Sequence, residues 1–300
     1  MLFNSLPFIF VFLPITMLGF HLLGRYGRRP VIAWLALCSV YFYARWNHVF
    51  VLFLLASILL NYSMARLIAR APEQSGKRRG LMALGIGLNL LGLFYFKYFY
   101  KLLLLAKALH LTPTMPHSIL LPLGISFFTF TQISYLVDLA QGQAERQDLL
   151  SYLLFVTFFP HLIAGPILHH KEMMPQFGKA TTAETGRRFR LKADDVSLGL
   201  TWFVMGLAKK VLIADQLAPT ADLAFSNTAS LSATSAWTGL IVYSMQLYFD
   251  FSGYSDMAMG LARVFSIRFP LNFDSPYKAT SVTEYWQRWH MTLTRYITLY

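Results

Sequence analysis

The sequence contains few charged residues and a single cysteine. Asp, Glu, Lys and Arg make up 13% of its 300 residues, about half the share that is usual in soluble domains. Because Cys38 is the only cysteine, a disulfide framework and a zinc or iron–sulfur site with several thiolates are excluded. The adjacent pair His169 and His170 lacks the i, i+4 spacing of a helical metal site, so we predict no metal.

The apolar content is correspondingly high. Apolar residues make up 56% of the chain, including 26 Phe, 16 Tyr and 6 Trp, which is more apolar surface than one core can bury, so lipid must cover part of it. We therefore predict an all-α polytopic membrane helix bundle with additional interfacial helices. The net charge of +12 comes from basic residues between the apolar runs, which indicates cytoplasmic loops rather than a nucleic-acid surface.

The first apolar run sets the predicted orientation in the membrane. Residues 1–24 contain no Lys or Arg, so they lack the charged leader of a cleaved signal and are expected to remain as a membrane helix, with kinks at Pro7 and Pro14. The basic residues that follow place the next loop in the cytoplasm and the N-terminus outside. These residues are Arg25, Arg28 and Arg29.

Further crossings follow along the chain. Residues 31–67 are too long for one crossing of about 20 residues, and a polar notch at 45–48 predicts a tight hairpin. The other predicted crossings are 81–96, 118–137, 149–168, 198–213 and 236–251. After 81–96, Lys97 and Lys101 are predicted to lie at a helix end or in an interfacial helix, and Lys209 and Lys210 lie near the end of 198–213. Pro160 and Gly165-Pro166 interrupt 149–168. The polar stretch 169–195 is predicted to be cytoplasmic, where Arg187, Arg188, Arg190 and Lys192 either set the membrane topology or face anionic lipid.

Two carboxylates lie within or beside the last apolar run. Asp250 and Asp256 flank Gly253, which we expect to break the helix between them. A buried carboxylate in a membrane segment is a functional candidate, although pairing with Arg263 or Lys209 would give it a purely structural role.

The segment after this run contains the strongest candidate for chemistry. The prolines and Asn of 268–277 predict an ordered, turn-rich segment. Residues 283–290 predict a helix that starts at Thr283 and carries Trp286 and His290 on one face. A desolvated, neutral His290 is suited to take a proton from a hydroxyl, but it could equally be a packing residue, as could His161, His169 and His170. The other candidate substrate-binding or passage-lining residues are Asp250, Tyr254, Asp256, Asn272, Trp286, Arg288 and Trp289.

Four sequence blocks resemble the membrane-bound O-acyltransferase family, in the bacterial branch that includes the alginate O-acetyltransferase membrane subunit. The blocks are PLGISFFTFTQISYLVD from Pro122, FFPHLIAGPI from Phe158, GLAKKVLIAD from Gly206 and the long block from Asp250 to His290. The resemblance implies a bundle around a narrow central passage, in which acetyl-CoA from the cytoplasm serves as the acyl donor and no cofactor stays bound. The implied acceptor is a hydroxyl of an exported polysaccharide, and the implied partner is a periplasmic or extracellular acetyltransferase.

The resemblance also concerns how much of the family's domain these 300 residues contain. His290 matches the first of two functional histidines of the family, whereas the second lies beyond residue 300 in relatives. We therefore expect residues 1–300 to be a single integral-membrane domain, truncated at its C-terminus and inactive alone, with His290 as an auxiliary base or orienting group.

Three alternatives remain open from the sequence. The first is transfer of D-alanine from a carrier protein toward teichoic acid, which would use the same passage and base. The second is a transporter, for which interrupted apolar runs and an intramembrane Asp250 are suitable parts. The third is a scaffold that recruits the partner without reacting.

Overall fold

The computed structural model describes residues 2–109, 120–179, 191–226, 228 and 231–300, and within these ranges the chain is helical and contains no strand. The α-helices are α1 (Leu13–Leu23), α2 (Arg28–Ala44), α3 (His48–Arg70), α4 (Gly76–Phe94), α5 (Tyr100–Ala108), α6 (Ile125–Ala140), α7 (Leu149–Thr157), α8 (Phe159–Leu162), α9 (His170–Lys179), α10 (Ala193–Ala208), α11 (Asp215–Ser226), α12 (Ala233–Val264), α13 (Val282–Arg288) and α14 (Met291–Leu299). Helices account for 79% of the chain, which confirms the predicted all-α class.

Several helices are long and apolar enough to cross a membrane. Among the described residues, four qualify by length and composition: Phe8–Tyr26, His48–Arg70, Gly76–Ala108 and Ala193–Ser226. Only 11% of the apolar stretch in Gly76–Ala108 is buried within the protein, as expected for a helix whose side chains face lipid. These helices confirm a multi-pass membrane protein.

Three of these four helices contain a π-helical turn, at Phe8–Phe12, Tyr95–Phe99 and Lys209–Ala214. The predicted helix end at Lys97 is therefore wrong, because α4 continues through the second π-helical turn into α5. A continuous helix of 33 residues is longer than the roughly 30 Å of hydrocarbon requires. Lys209 and Lys210 likewise lie within a continuous helix, between α10 and α11, rather than near its end.

The described residues form two compact units, and the first lies within Arg28–Ile163 and Ile167–Ala180. Its α2 and α3 form the predicted hairpin, with Asn47 accepting a hydrogen bond from the Val49 N–H as N-cap of α3. The predicted breaks of the 149–168 run are confirmed, since α7 ends at Thr157 and α8 is only one turn long. Phe158, Phe159 and Pro160 are buried at this break, so protein surrounds the backbone where helical hydrogen bonding is interrupted.

The second unit lies within Met1–Gly27, Ala164–Pro166 and Thr181–Tyr300. Its centre is the packing of α10 on α12, where glycines remove the side chains that would separate the two backbones. A Cβ atom on Gly206 would lie 2.5 Å from the Gly253 carbonyl oxygen, and one on Gly199 would lie 2.6 Å from the Gly260 carbonyl oxygen. Such close approach is typical of helix pairs in membranes.

Gly253 therefore serves a different purpose from the one expected. The predicted helix break is wrong, because α12 runs without interruption from Ala233 to Val264. Glycine costs a helix only about 1 kcal/mol relative to alanine, and the contact with α10 offsets that cost.

Candidate functional site

His290 lies in a sharp turn between two short helices. The helix α13 begins after Ser281, which accepts a hydrogen bond from the Glu284 N–H as N-cap, and it ends at Arg288. His290 itself has φ 45° and ψ 52°, a left-handed conformation that side-chain-bearing residues rarely adopt. The predicted start at Thr283 and the predicted helical face shared by Trp286 and His290 are therefore wrong.

A buried amide holds the imidazole in this turn. Asn272 is fully buried, and its Oδ1 lies 2.9 Å from Nδ1 of His290. The same Oδ1 accepts a hydrogen bond from the Thr292 hydroxyl at 2.8 Å, while Nδ2 donates to Oγ of Ser255 at 3.1 Å. The Asn272 carbonyl oxygen also accepts from the Met291 N–H. We call His290, Asn272, Ser255 and Thr292 the His290 site.

The hydrogen bonds of Asn272 define the tautomer of His290. The backbone N–H of Thr292, which can only donate, points at Oδ1 of Asn272 from 3.4 Å, so this atom of the amide is the oxygen. Nδ1 of His290 must then carry the proton that it shares with Oδ1. Nε2 is left with a lone pair, and it makes no hydrogen bond to the described residues.

Burial keeps this imidazole neutral. His290 is 8% exposed, and the ring of Phe251 meets it edge-on with 4.9 Å between centroids. His290 lies outside the four candidate spans, and burial lowers its pKa to about 4. A neutral imidazole with a free lone pair is the form that can accept a proton from a hydroxyl.

Arg288 and Trp289, two of the three candidates on α13 and its end, make contacts next to the segment around Asn272. Arg288 pairs with Glu284 at 2.8 Å, and its backbone carbonyl accepts a hydrogen bond from the Asp274 N–H. The hydrogen bonds that Glu284 accepts from the backbone N–H and hydroxyl of Thr280, together with those from Arg288, lower its pKa. Trp289 stacks on Tyr285 with 5.7 Å between ring centroids.

The carboxylates of α12 do not join the His290 site. Asp256 pairs with Lys209 at 2.5 Å, and Asp250 pairs with Lys210 at 2.5 Å. Lys210 also binds Asp215 at 2.7 Å. The pairing of Asp256 with Lys209 is the structural alternative that the sequence left open, whereas Arg263 instead pairs with Asp195.

We expect the Lys209–Asp256 pair to stabilise the contact between helices rather than to react. Lys209→Met should destabilise the protein by about 3 kcal/mol, because an uncompensated charge remains in a membrane helix. The double variant Lys209→Met with Asp256→Leu should recover most of that loss. Thermal unfolding in a neutral detergent measures both effects, and a double variant no more stable than the single one would contradict a structural role.

The other predicted residues have surroundings of their own. Tyr254 stacks on Phe3 with 4.8 Å between ring centroids, and Trp286 is 53% exposed. His161 is buried and its Nε2 bonds the Phe155 carbonyl at 2.8 Å, as expected for a packing residue. His169 and His170 are also buried. The predicted basic residues Arg187, Arg188 and Arg190 lie outside the described residues.

The sequence did not single out Ser255 and Thr292. Both are buried, and both contact the side chain of Asn272. Ser255 lies four residues after Phe251 on α12, so the two share the helix face that meets the His290 site. A hydroxyl residue within an apolar run carries no signal by itself, because it can also bond its own helix backbone.

Comparison with known proteins gives consistent matches. Residues 88–300 match the profile of MBOAT, the membrane-bound O-acyltransferase family. The chain is 41% identical over 327 residues to a peptidoglycan O-acetyltransferase of Helicobacter pylori, which covers 100% of this chain and 61% of that relative. It is 38% identical over 302 residues to the probable alginate O-acetylase AlgI of Pseudomonas putida, covering 99% of this chain and 60% of that relative.

A weaker similarity extends to another group of enzymes. A teichoic acid D-alanyltransferase of Bacillus subtilis is 30% identical over 183 residues, which cover 60% of this chain and 44% of that relative. The chain spans about 60% of the length of the O-acetyltransferase relatives.

Proposed function

Because the chain belongs to the membrane-bound O-acyltransferase family, we propose that it takes part in moving an acetyl group from acetyl-CoA to hydroxyls of an exported polysaccharide. The observation that carries this proposal is the buried, neutral His290, whose Nδ1 is held by Asn272. The relatives named as acetylases of peptidoglycan and alginate support the acetyl group and the glycan acceptor.

In the proposed reaction, His290 acts as the general base. Its Nε2 takes the proton from an acceptor hydroxyl, and the oxygen forms a bond to the thioester carbonyl carbon. The carbon–sulfur bond then breaks, and the departing thiolate receives the proton from the imidazolium. This step regenerates neutral His290 and releases free coenzyme A and the acetyl ester.

Asn272 has a positioning role in this mechanism. An amide orients the imidazole without placing a negative charge beside it, so His290 stays neutral until a hydroxyl is in place. The hydrogen bond that Asn272 donates to Ser255 and the one that it accepts from Thr292 fix the amide in turn. We propose that Asp250, Tyr254 and Asp256 maintain helix packing in the same unit rather than touching substrate.

The proposed location is the bacterial inner membrane with a periplasmic N-terminus. Arg25 lies at the end of the first span, Arg28 and Arg29 directly follow it, and Lys and Arg are retained in cytoplasmic loops. In this orientation the donor arrives from the cytoplasm. A periplasmic or extracellular acetyltransferase would then pass the acetyl group to the polysaccharide.

The function is tested by following the donor. Membranes that carry the intact gene product should transfer radiolabelled acetyl groups from acetyl-CoA to an endogenous polysaccharide or to the partner protein. Label that is released by mild alkali, as an ester is, would support O-acetylation.

The similarity to teichoic acid D-alanyltransferases defines the competing outcome. If transfer requires a D-alanyl carrier protein and acetyl-CoA is not consumed, then D-alanyl transfer replaces O-acetylation as the function. Transport of a solute without covalent change in any acceptor would instead support a transporter.

A further inference from the structure

A cavity with several polar and charged residues in its lining lies at the turn between α3 and α4, in a different unit from the His290 site. It has a volume of about 420 Å³ and is lined by the turn residues 73–75, by Arg78, Arg79 and Met82 of α4, and by residues 140–142 at the end of α6. A volume of this size is within the range of small-ligand pockets. We call it the α3–α4 cavity.

The most informative residue of the cavity is Arg78. It is 7% exposed, and its Nη2 donates to the Leu139 carbonyl oxygen at 2.6 Å. Its Nε is buried without a hydrogen-bond partner. Among the described residues, no carboxylate forms an ion pair with Arg78. A guanidinium stays protonated, and a buried cation without a counter-charge is unfavourable.

The backbone of the turn also favours an anion. Ser75 is the N-cap of α4 and accepts a hydrogen bond from the Arg78 N–H, while the first N–H groups of a helix lack intrahelical partners. The positive end of a helix dipole attracts phosphate groups. The lining contributes two positive charges, Arg78 and Arg79, against one negative charge, Glu73.

We propose that the α3–α4 cavity binds the phosphate group of an anionic ligand. Arg78 supplies the buried charge and the fixed donors, the positive end of the α4 dipole adds a favourable potential, and the exposed Arg79 adds a second positive charge. The phosphate comes either from an anionic phospholipid headgroup or from a soluble phosphate compound. The proposal is independent of the acyl-transfer reaction, because none of its residues belongs to the His290 site.

The test measures phosphate binding by the intact protein in neutral detergent. Isothermal titration with inorganic pyrophosphate is the soluble arm, and native mass spectrometry of retained phosphatidylglycerol against phosphatidylcholine is the lipid arm. We expect Arg78→Gln to weaken binding of the responding probe about tenfold, since charge-assisted bonds to phosphate are lost. Ala140→Leu should weaken it similarly by filling the cavity while every charge is kept.

Arg70→Gln is the matched control. Arg70 is exposed at the end of α3 and does not line the cavity, so its substitution removes one positive charge outside the proposed site. It should leave binding within about twofold. If the protein retains phosphatidylglycerol but not phosphatidylcholine, the cavity is a lipid headgroup site. If pyrophosphate still binds when the protein is in phosphatidylglycerol nanodiscs, the ligand is a soluble phosphate compound. The proposal is overturned if neither probe binds. It is also overturned if Ala140→Leu binds the probe as the unaltered protein does while Arg70→Gln and Arg79→Gln lower binding equally.

Discussion

Replacing His290 with alanine is expected to lower the rate of acyl transfer by about 10²- to 10⁴-fold, which is the usual contribution of a general base. The loss should appear in kcat, because the base acts on the proton during bond formation rather than on donor binding. Acetyl transfer from labelled acetyl-CoA, normalised to folded protein in the membrane, measures it. His161→Ala is the matched control, since His161 is also buried and its Nε2 bonds the Phe155 carbonyl.

A pH profile separates a positioning role of Asn272 from a merely structural one. Because the pKa of His290 is lowered to about 4, the base stays neutral, and the rate should not fall as the pH is lowered from 8 to about 6. Asn272→Asp would place a negative charge beside Nδ1 and raise the pKa of His290. As the pH is lowered, the rate of this variant should therefore begin to fall at a higher pH than that of the unaltered protein.

The outcomes are distinguishable. If Asn272→Asp lowers kcat but the pH at which the rate falls does not change, the role of Asn272 is restricted to holding the turn. Retention of full activity by His290→Ala would overturn the proposed base.

Replacing Gly206 with valine is expected to destabilise the contact between α10 and α12 strongly. A Cβ there would lie 2.5 Å from the Gly253 carbonyl oxygen and 2.6 Å from the Met257 nitrogen. These are backbone atoms that no side-chain rotation can move, so the helices must separate. Overpacking of this kind costs about 1–3 kcal/mol or more.

Gly87→Ala provides the control for this change. A Cβ on Gly87 of α4 meets nothing within 4 Å, so alanine should be neutral or stabilise the helix by up to about 1 kcal/mol. Thermal unfolding of both variants in the same detergent compares them. If Gly206→Val unfolds at the same temperature as Gly87→Ala, the close packing of α10 on α12 is not a determinant of stability.

Most of the helical architecture was predictable from local sequence. Lipid selects long apolar helices, so the run 31–67 indicated the helices α2 and α3 and the turn between them at 45–48, although only α3 is among the four candidate spans. The breaks around Pro160 were equally visible, since proline removes a backbone donor. The predictions failed where a polar residue lay inside a helix, as Lys97 and Lys209 do, because a long helix can continue past the hydrocarbon or pair its charges with a neighbour.

The candidate site was predictable only in part. The sequence by itself determined an all-α membrane protein and singled out His290 and Asn272, because composition and residue chemistry are local properties. Only the tertiary structure decided that the chain turns at His290, that Asn272 holds Nδ1, and that Asp256 pairs with Lys209. Each of these depends on residues distant in the chain, and hydrophobic periodicity carries no information about which distant side chains meet.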